Sequence, residues 1–243
     1  MQFSKIRSLG LVGASAAALV AFAAGSAQAE EASTGPAITW NFSAATDYIF
    51  RGISQTDEKA AASGGVDVTF GQAYVGAWAS NVDFSPADTH TSTEIDVYGG
   101  WRPAIKAFNL DLGVIYYGYA NQPKNPAPRN AYWEGAAKAS KTFDKVTLGA
   151  SVFYSPNFFA ETGDAWYYEG NAALVASDKV SFSGAIGHQD IEKAIGYTTW
   201  NLGATYTFKP GITFDVRYYD TNKSKLLGEI AGSRVVAAAK VSF

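Results

Sequence analysis

Counted back from Phe243, every second residue is apolar: Val241, Ala239, Ala237 and Val235. The residues between them include Ser242, Lys240 and Arg234. A period of two gives an extended strand with one apolar and one polar face. Such a strand, finishing on an aromatic residue, is how an outer-membrane β-barrel ends, with one face on lipid and the other on the lumen. A soluble sandwich has no need of that final ring.

The opposite end reads as an export signal. Lys5 and Arg7 form a positive n-region, an apolar run occupies 9–24, and Ala27-Gln28-Ala29 is an A-x-A cleavage site. Residues 1–29 are therefore expected to be removed, leaving Glu30 first. The run is short for a membrane anchor and ends in small residues. The chain has no Cys, which argues against a lipoprotein and excludes disulfides and thiolate metal sites. Without Lys5 and Arg7 the chain carries 17 basic and 22 acidic residues. This mildly acidic balance argues against a nucleic-acid partner.

No later segment approaches a transmembrane helix. An exported chain that spans a membrane must then do so as a closed barrel, because only helices and barrels satisfy every backbone group in lipid. The spacing predicts twelve strands, at 39–52, 64–70, 73–82, 92–102, 107–120, 130–142, 145–155, 165–176, 180–189, 197–208, 212–221 and 233–243. Connections alternate in length. Tight ones, such as Gly71-Gln72 and Lys209-Pro210-Gly211, follow even-numbered strands. Longer polar ones (54–62, 83–91, 121–129, 156–164, 190–196 and 222–232) follow odd-numbered strands. Short turns on one side and long loops on the other are the bacterial barrel pattern, with both termini on the periplasmic side. The expected fold is one all-β domain, an antiparallel up-and-down transmembrane barrel over 38–243, with 30–37 as a short periplasmic tail.

Alternation is clear in several strands. Trp200, Leu202, Ala204, Tyr206 and Phe208 share one face; Ile212, Phe214, Val216 and Tyr218 share another; Phe108, Leu110, Leu112, Val114 and Tyr116 a third. The strand at 73–82 is ambiguous, since both of its phases carry apolar residues. Aromatic residues fall into two belts, as amphipathic rings do at membrane interfaces. The periplasmic belt is read as Trp40, Phe42, Phe70, Tyr74, Trp101, Phe108, Phe182, Phe208, Phe214 and Phe243. The outer belt is read as Tyr48, Phe50, Tyr116, Trp133, Tyr154, Trp166, Tyr168, Trp200 and Tyr218. Small residues such as Gly149, Ala150, Gly170 and Ala172 lie between.

Residues 47–56, Asp-Tyr-Ile-Phe-Arg-Gly-Ile-Ser-Gln-Thr, resemble the opening signature of the TorF-type porin family of Gram-negative outer membranes. The segments 74–84 and 94–101 are similar to its next two blocks, and beyond about Tyr119 only the barrel pattern continues. The resemblance implies a channel-like outer-membrane barrel and names no solute.

By phase, the polar faces place Asp47, Arg51, Asp67, Glu94, Asp96, Arg102, Asp111, Glu134, Lys138, Glu169, Asp215, Arg217, Arg234 and Lys240 in the lumen. Unpaired charges in a narrow interior are costly, so the signs should interleave and pair. Asp47 and Arg51, four apart on the first predicted strand, are read as one pair. Closure of the first strand against the last is expected to bring Arg234 and Lys240 to the same wall. Eight-stranded barrels are filled by side chains and sixteen-stranded ones leave a channel. Twelve lies between, so a narrow pore tuned by opposed charges and a lumen plugged by a salt-bridge network both fit.

A hydrolase would need a His beside a nucleophile or acid. His90 lies in a long loop, and His188 falls on a lipid-facing phase without a nucleophile motif. Loop acids such as Asp57, Glu58, Asp88, Glu161, Asp164 and Glu229 offer at most weak divalent-ion contacts to lipopolysaccharide. The sequence thus points to a non-enzymatic, cofactor-free porin-like channel for passive diffusion of small hydrophilic solutes or ions. A closed barrel acting as adhesin, receptor or structural protein is the alternative, and a hydrolase using His188 a more distant one. Its partners would be outer-membrane lipid, lipopolysaccharide and, through the last strand and Phe243, the barrel-assembly machinery. N-terminal sequencing of the membrane-extracted protein should begin at Glu30; a start displaced by more than a few residues refutes the cleavage site.

Overall fold

A computed structural model of the chain describes residues 35–85, 87–122 and 129–243. The expected signal peptide, most of the 30–37 tail and part of the 121–129 loop lie outside them. Twelve antiparallel strands close into a barrel. They are β1 (Ala37–Ala45), β4 (Ala61–Phe70), β5 (Ala73–Asn81), β6 (Thr93–Trp101), β7 (Asn109–Ala120), β8 (Tyr132–Phe143), β9 (Val146–Ser155), β10 (Ala165–Val175), β11 (Val180–Ile191), β12 (Tyr197–Lys209), β13 (Ile212–Thr221) and β14 (Arg234–Ser242). Each pairs with its neighbour in sequence, and β1 pairs with β14 to close the ring. Among the described residues no helix is long and apolar enough to cross a membrane.

Closure is made by the segment that ends at Phe243. Asn41 faces Ser242 and Ala44 faces Ala239 across the seam. The Trp40 amide donates to the Phe243 carbonyl at 2.8 Å, and the Phe243 amide donates back to Trp40 at 3.0 Å. The Phe42 and Phe243 rings stack at 6.1 Å.

The outer surface is apolar. Val97, Val114, Ile186, Leu202, Val216 and Val235 are all exposed, Leu202 at 67%. Water-soluble monomers rarely expose contiguous apolar surface on this scale; a lipid-facing wall requires it. Rings exposed at the turn end include Trp40, Phe42, Phe70, Trp101, Phe182, Phe208 and Phe214. At the loop end Trp133, Trp166, Tyr168 and Tyr218 are exposed, and Trp133 packs on Tyr116 at 4.7 Å. Three assignments change. Tyr74 is not in the turn-end belt: it is buried and its hydroxyl donates to Asp111 at 2.7 Å inside the barrel. Tyr48 and Phe50 are not in the loop-end belt, because they too lie inside.

The largest departure from the sequence pattern is the first strand. It ends at Ala45 rather than running to residue 52. Residues 49–54 instead form a separate hairpin, β2 (Ile49–Phe50) and β3 (Ile53–Ser54), whose strands pair only with each other. The turn is Arg51-Gly52, with φ of 45° and 82°. Positive φ at both central residues is the type I′ condition for a two-residue hairpin. A Cβ at Gly52 would collide with Thr199, so the turn sits directly against the wall. Ile49 and Phe50 are adjacent and apolar, which breaks the period of two. That break marks a segment buried on both faces rather than one lining lipid.

The phase of β13 is testable by charge. Val216→Arg, on the exposed face, should destabilise by about 2–4 kcal/mol if it lies near the bilayer midplane. Thr213→Arg, on the inward face, should cost less. Denaturant unfolding in vesicles reads the difference, and equal costs would mean the face assignment is reversed.

Candidate functional site

Residues 46–60 leave β1, enter the barrel, and return to β4. Ile49, Phe50, Arg51, Ile53, Ser54, Gln55 and Thr56 are all buried. Around them the ends of the wall strands and the loops supply a core of a kind usual in soluble proteins. Phe50 packs with Val82, Phe84, Tyr117, Tyr119, Tyr132, Phe158 and Phe159, and Ile53 packs with Tyr197 and Ala231. Ile230 touches both groups. The loop-end half of the interior is therefore filled.

At the hairpin tip, Arg51 is the central cation. Its Nη2 donates to Glu134 Oε2 at 2.8 Å, and its Nη1 donates to Glu134 Oε1 at 3.0 Å and to Gln189 Oε1 at 2.8 Å. This is the bidentate fork geometry that makes arginine–carboxylate pairs strong and directional. The guanidinium also lies over Phe50, Phe153 and Tyr167, the nearest centroid 4.3 Å away. Glu134 accepts a further bond from the Tyr117 hydroxyl at 3.2 Å, and Gln189 is oriented by its bond to the Trp166 carbonyl at 3.2 Å. Both charges of the ion pair are almost fully buried, at 4% and 1% side-chain exposure.

Asp47 and Arg51 do not pair, and they share no strand face. Asp47 stands at the start of the inward segment and accepts from Ser54 at 2.7 Å, Thr56 at 2.9 Å and Arg234 at 2.9 Å. Arg234 also pairs with Glu58 at 3.2 Å. The seam thus brings Arg234 to Asp47, as the closure of first on last strand requires. Lys240 is exposed at the turn end, opposite Ser43 and Thr213, far along the same strand.

The other inward charges fall into local groups. Arg217 uses most of its donors, reaching Asp215 at 3.0 Å, Asn201 at 2.7 Å and Ser183 at 2.8 Å. Asp111 takes the Arg102 guanidinium at 3.0 Å and the Tyr74 hydroxyl at 2.7 Å. Lys138 lies over the Phe153 ring at 5.5 Å. Tyrosine hydroxyls recur on the carboxylates: Tyr98 on Asp67 at 2.8 Å, Tyr48 on Glu94 at 3.0 Å and Tyr167 on Glu169 at 2.9 Å. Glu94 and its strand neighbour Asp96 are both buried. The expected lumen set leaves out Gln189, Asn201, Tyr98 and Tyr167, although each lies on the inward phase of its own strand.

Inward residues differ along the barrel. Near the hairpin they are buried; toward the turns Tyr74, Ser140 and Thr147 are buried too, but Asn41, Ser43, Asp67, Asp111, Lys138, Asn171 and Thr213 keep partial exposure. On the outer loops Lys59 donates to Asp83 at 2.8 Å. That bond, with those from Ser85, holds the Asp83 carboxyl below its ordinary value. His188 is exposed on the outer face with its ring Nδ1 3.0 Å from the Thr198 hydroxyl, and His90 is in an exposed loop. Among the described residues no group of three His, Asp or Glu side chains is placed to hold a metal ion.

One family profile, described as a bacterial protein of unknown function (Gcw_chp), matches residues 29–243. The chain belongs to this Gcw_chp family. The family's description carries no activity, and it does not name the TorF-type porins that 47–56 resemble. A search of curated proteins finds no match. Solved structures with the same fold include the KdgM porin, at 9% identity, TM-score 0.58, covering 84% of this chain and 99% of that one. KdgM in complex with disordered oligogalacturonate aligns at 10% identity, TM-score 0.57, covering 85% and 98%. The NanC porin aligns at 8% identity, TM-score 0.52, covering 85% and 98%. At these identities the likeness is one of fold.

The buried pair sets a stability expectation. Removing one member of a buried ion pair strands the other and costs about 3–5 kcal/mol. Arg51→Ala should lower unfolding stability by that order. Arg51→Ala/Glu134→Ala should cost clearly less than the sum of the two single changes. Urea titrations in detergent give the cycle, and additive effects would deny that the two side chains meet.

Proposed function

We propose that this chain is an outer-membrane channel through which small hydrophilic solutes or ions pass passively. The observation that carries the reading is the gradient of exposure inside the barrel. Toward the turn end the inward charges and amides remain partly accessible, and Arg102 and Lys240 are open to solvent. A barrel whose only task is to be filled would bury them, as eight-stranded barrels do. The KdgM and NanC folds and the resemblance of 47–56 to TorF-type porins support the same reading. In it the turn end faces the periplasm, the loops face outward near lipopolysaccharide, and the β14 segment ending at Phe243 is what the barrel-assembly machinery reads. No reaction or cofactor enters.

The proposed pore lining contains Asp47, Arg51, Asp67, Glu94, Asp96, Asp111, Glu134, Lys138, Glu169, Asp215, Arg217, Arg234 and Lys240, together with Arg102. The arginines are engaged by carboxylates, while Asp67, Glu94 and Glu169 hold tyrosine hydroxyls. A polyanion such as the oligogalacturonate of the KdgM complex would find few uncommitted cations here. The filled loop-end half favours a second reading, a closed barrel serving as adhesin, receptor or structural protein.

Charged linings select by local potential. Because the lining holds two more acids than bases, we expect a small conductance with weak cation preference. High salt should weaken it by screening, over a Debye length of about 3 Å at 1 M. Reversal potentials across a salt gradient in planar bilayers test this. A clear anion preference would overturn the lining, and a membrane with inserted protein but no current would favour the closed barrel.

A further inference from the structure

The hairpin at 49–54 closes the barrel interior without belonging to the barrel. Its strands form no ladder with the wall. Arg51 at its tip holds β8 and β11 and Ile53 packs on β12, while just before it Tyr48 bonds β6 and Asp47 bonds β14. The apolar clusters occupy the sectors between these anchors. A segment held on opposite walls in this way crosses the lumen.

The attachments have a releasable character. Most are side-chain contacts; a backbone tie to the wall region is the Asp83 amide on the Gln55 carbonyl at 2.8 Å. The segment also has a built-in joint. Asp57 and Glu58, consecutive non-glycine residues at its exit, both have left-handed φ, at 51° and 62°. Such residues hold strain that a change of loop path relieves. The strongest anchor is an ion pair whose ends water would solvate once the hairpin left. Pairing and hydration of these charges are therefore close alternatives, unlike the loss of a sheet ladder.

We propose that the β2–β3 hairpin is the gate of the channel and that Arg51–Glu134 is its latch. This rests on the channel reading above. With the hairpin in place the pathway is shut; with it swung toward the loops, the polar wall it covered joins the accessible half below.

The absence of native Cys lets a single introduced pair report on the gate. Arg51→Cys/Glu134→Cys removes the latch, and a cleavable bis-maleimide then ties the hairpin to β8. A second variant replaces 49–54 with two glycines. Heat-dependent gel shift checks that each barrel is assembled. In single-channel recordings the unmodified protein should be mostly shut with brief openings. The double-cysteine protein should be open roughly tenfold more of the time, which corresponds to about 1.4 kcal/mol. Tethering should shut it, cleavage of the tether should reopen it, and the glycine variant should conduct continuously. Steady currents that are the same in unmodified, unlatched and tethered protein would make the hairpin a fixed constriction and overturn the gate while leaving the channel standing. Silence of every assembled variant, the glycine variant included, would remove the channel reading and the gate with it.

Discussion

Backbone amides and carbonyls facing hydrocarbon have no water to bond, so the sheet they belong to cannot have an edge. In this chain that constraint is met at one place, the pairing of β1 with β14. The two hydrogen bonds between Trp40 and Phe243 and the stacking of Phe42 on Phe243 secure its final turn. Everything else follows from closure. Once the ladder is a ring, alternate side chains must face either lipid or an enclosed interior, and the apolar set lies outside.

Closing twelve strands creates a second problem. The interior is too wide for wall side chains to fill and too narrow to hold isolated charges cheaply. Two solutions operate at different heights. At the loop end an insertion from the first connection fills the space with Phe50 and Ile53 and neutralises Arg51 against Glu134. Toward the turns the space is lined by partnered polar groups, of which Arg102 beside Asp111 stays accessible while Arg217 beside Asp215 is buried. Asp67, Glu94 and Glu169 take tyrosine hydroxyls. A hydroxyl bond spreads the charge while leaving it negative, so the interior keeps an acidic bias.

Much of this was legible in the sequence. Period-two alternation located the barrel strands and their outward faces, and the alternation of short and long connections gave the order of pairing. Phase alone put the charges of the barrel strands on their inward faces, whereas Asp47 and Arg51 lie in no barrel strand. What was missed is the path of 46–60. The pattern there resembled a continuing strand, because Tyr48 and Phe50 keep the spacing of the residues before them. The contrary signals were local: adjacent apolar Ile49 and Phe50, and an Arg51-Gly52 pair able to take positive φ. Partner choice was also out of reach. Asp47 and Arg51 are close in sequence, and a one-dimensional pattern pairs them. In space, Arg51 crosses the barrel to Glu134, 83 residues away, and Asp47 crosses the seam to Arg234, 187 residues away. Pairings of that span depend on ring closure, which no local period encodes.

The filled interior depends on the first connection lying inside the barrel. Its most direct test is thiol accessibility, with one cysteine introduced at a time into a chain that has none. Ser54 is 1% exposed within the hairpin, whereas the Lys59 side chain is 63% exposed just beyond it. With the folded protein in detergent micelles, a bulky maleimide should label Lys59→Cys to completion while Ser54→Cys stays largely unreacted. Equal labelling rates at the two positions would place the segment on the surface and contradict the structure described.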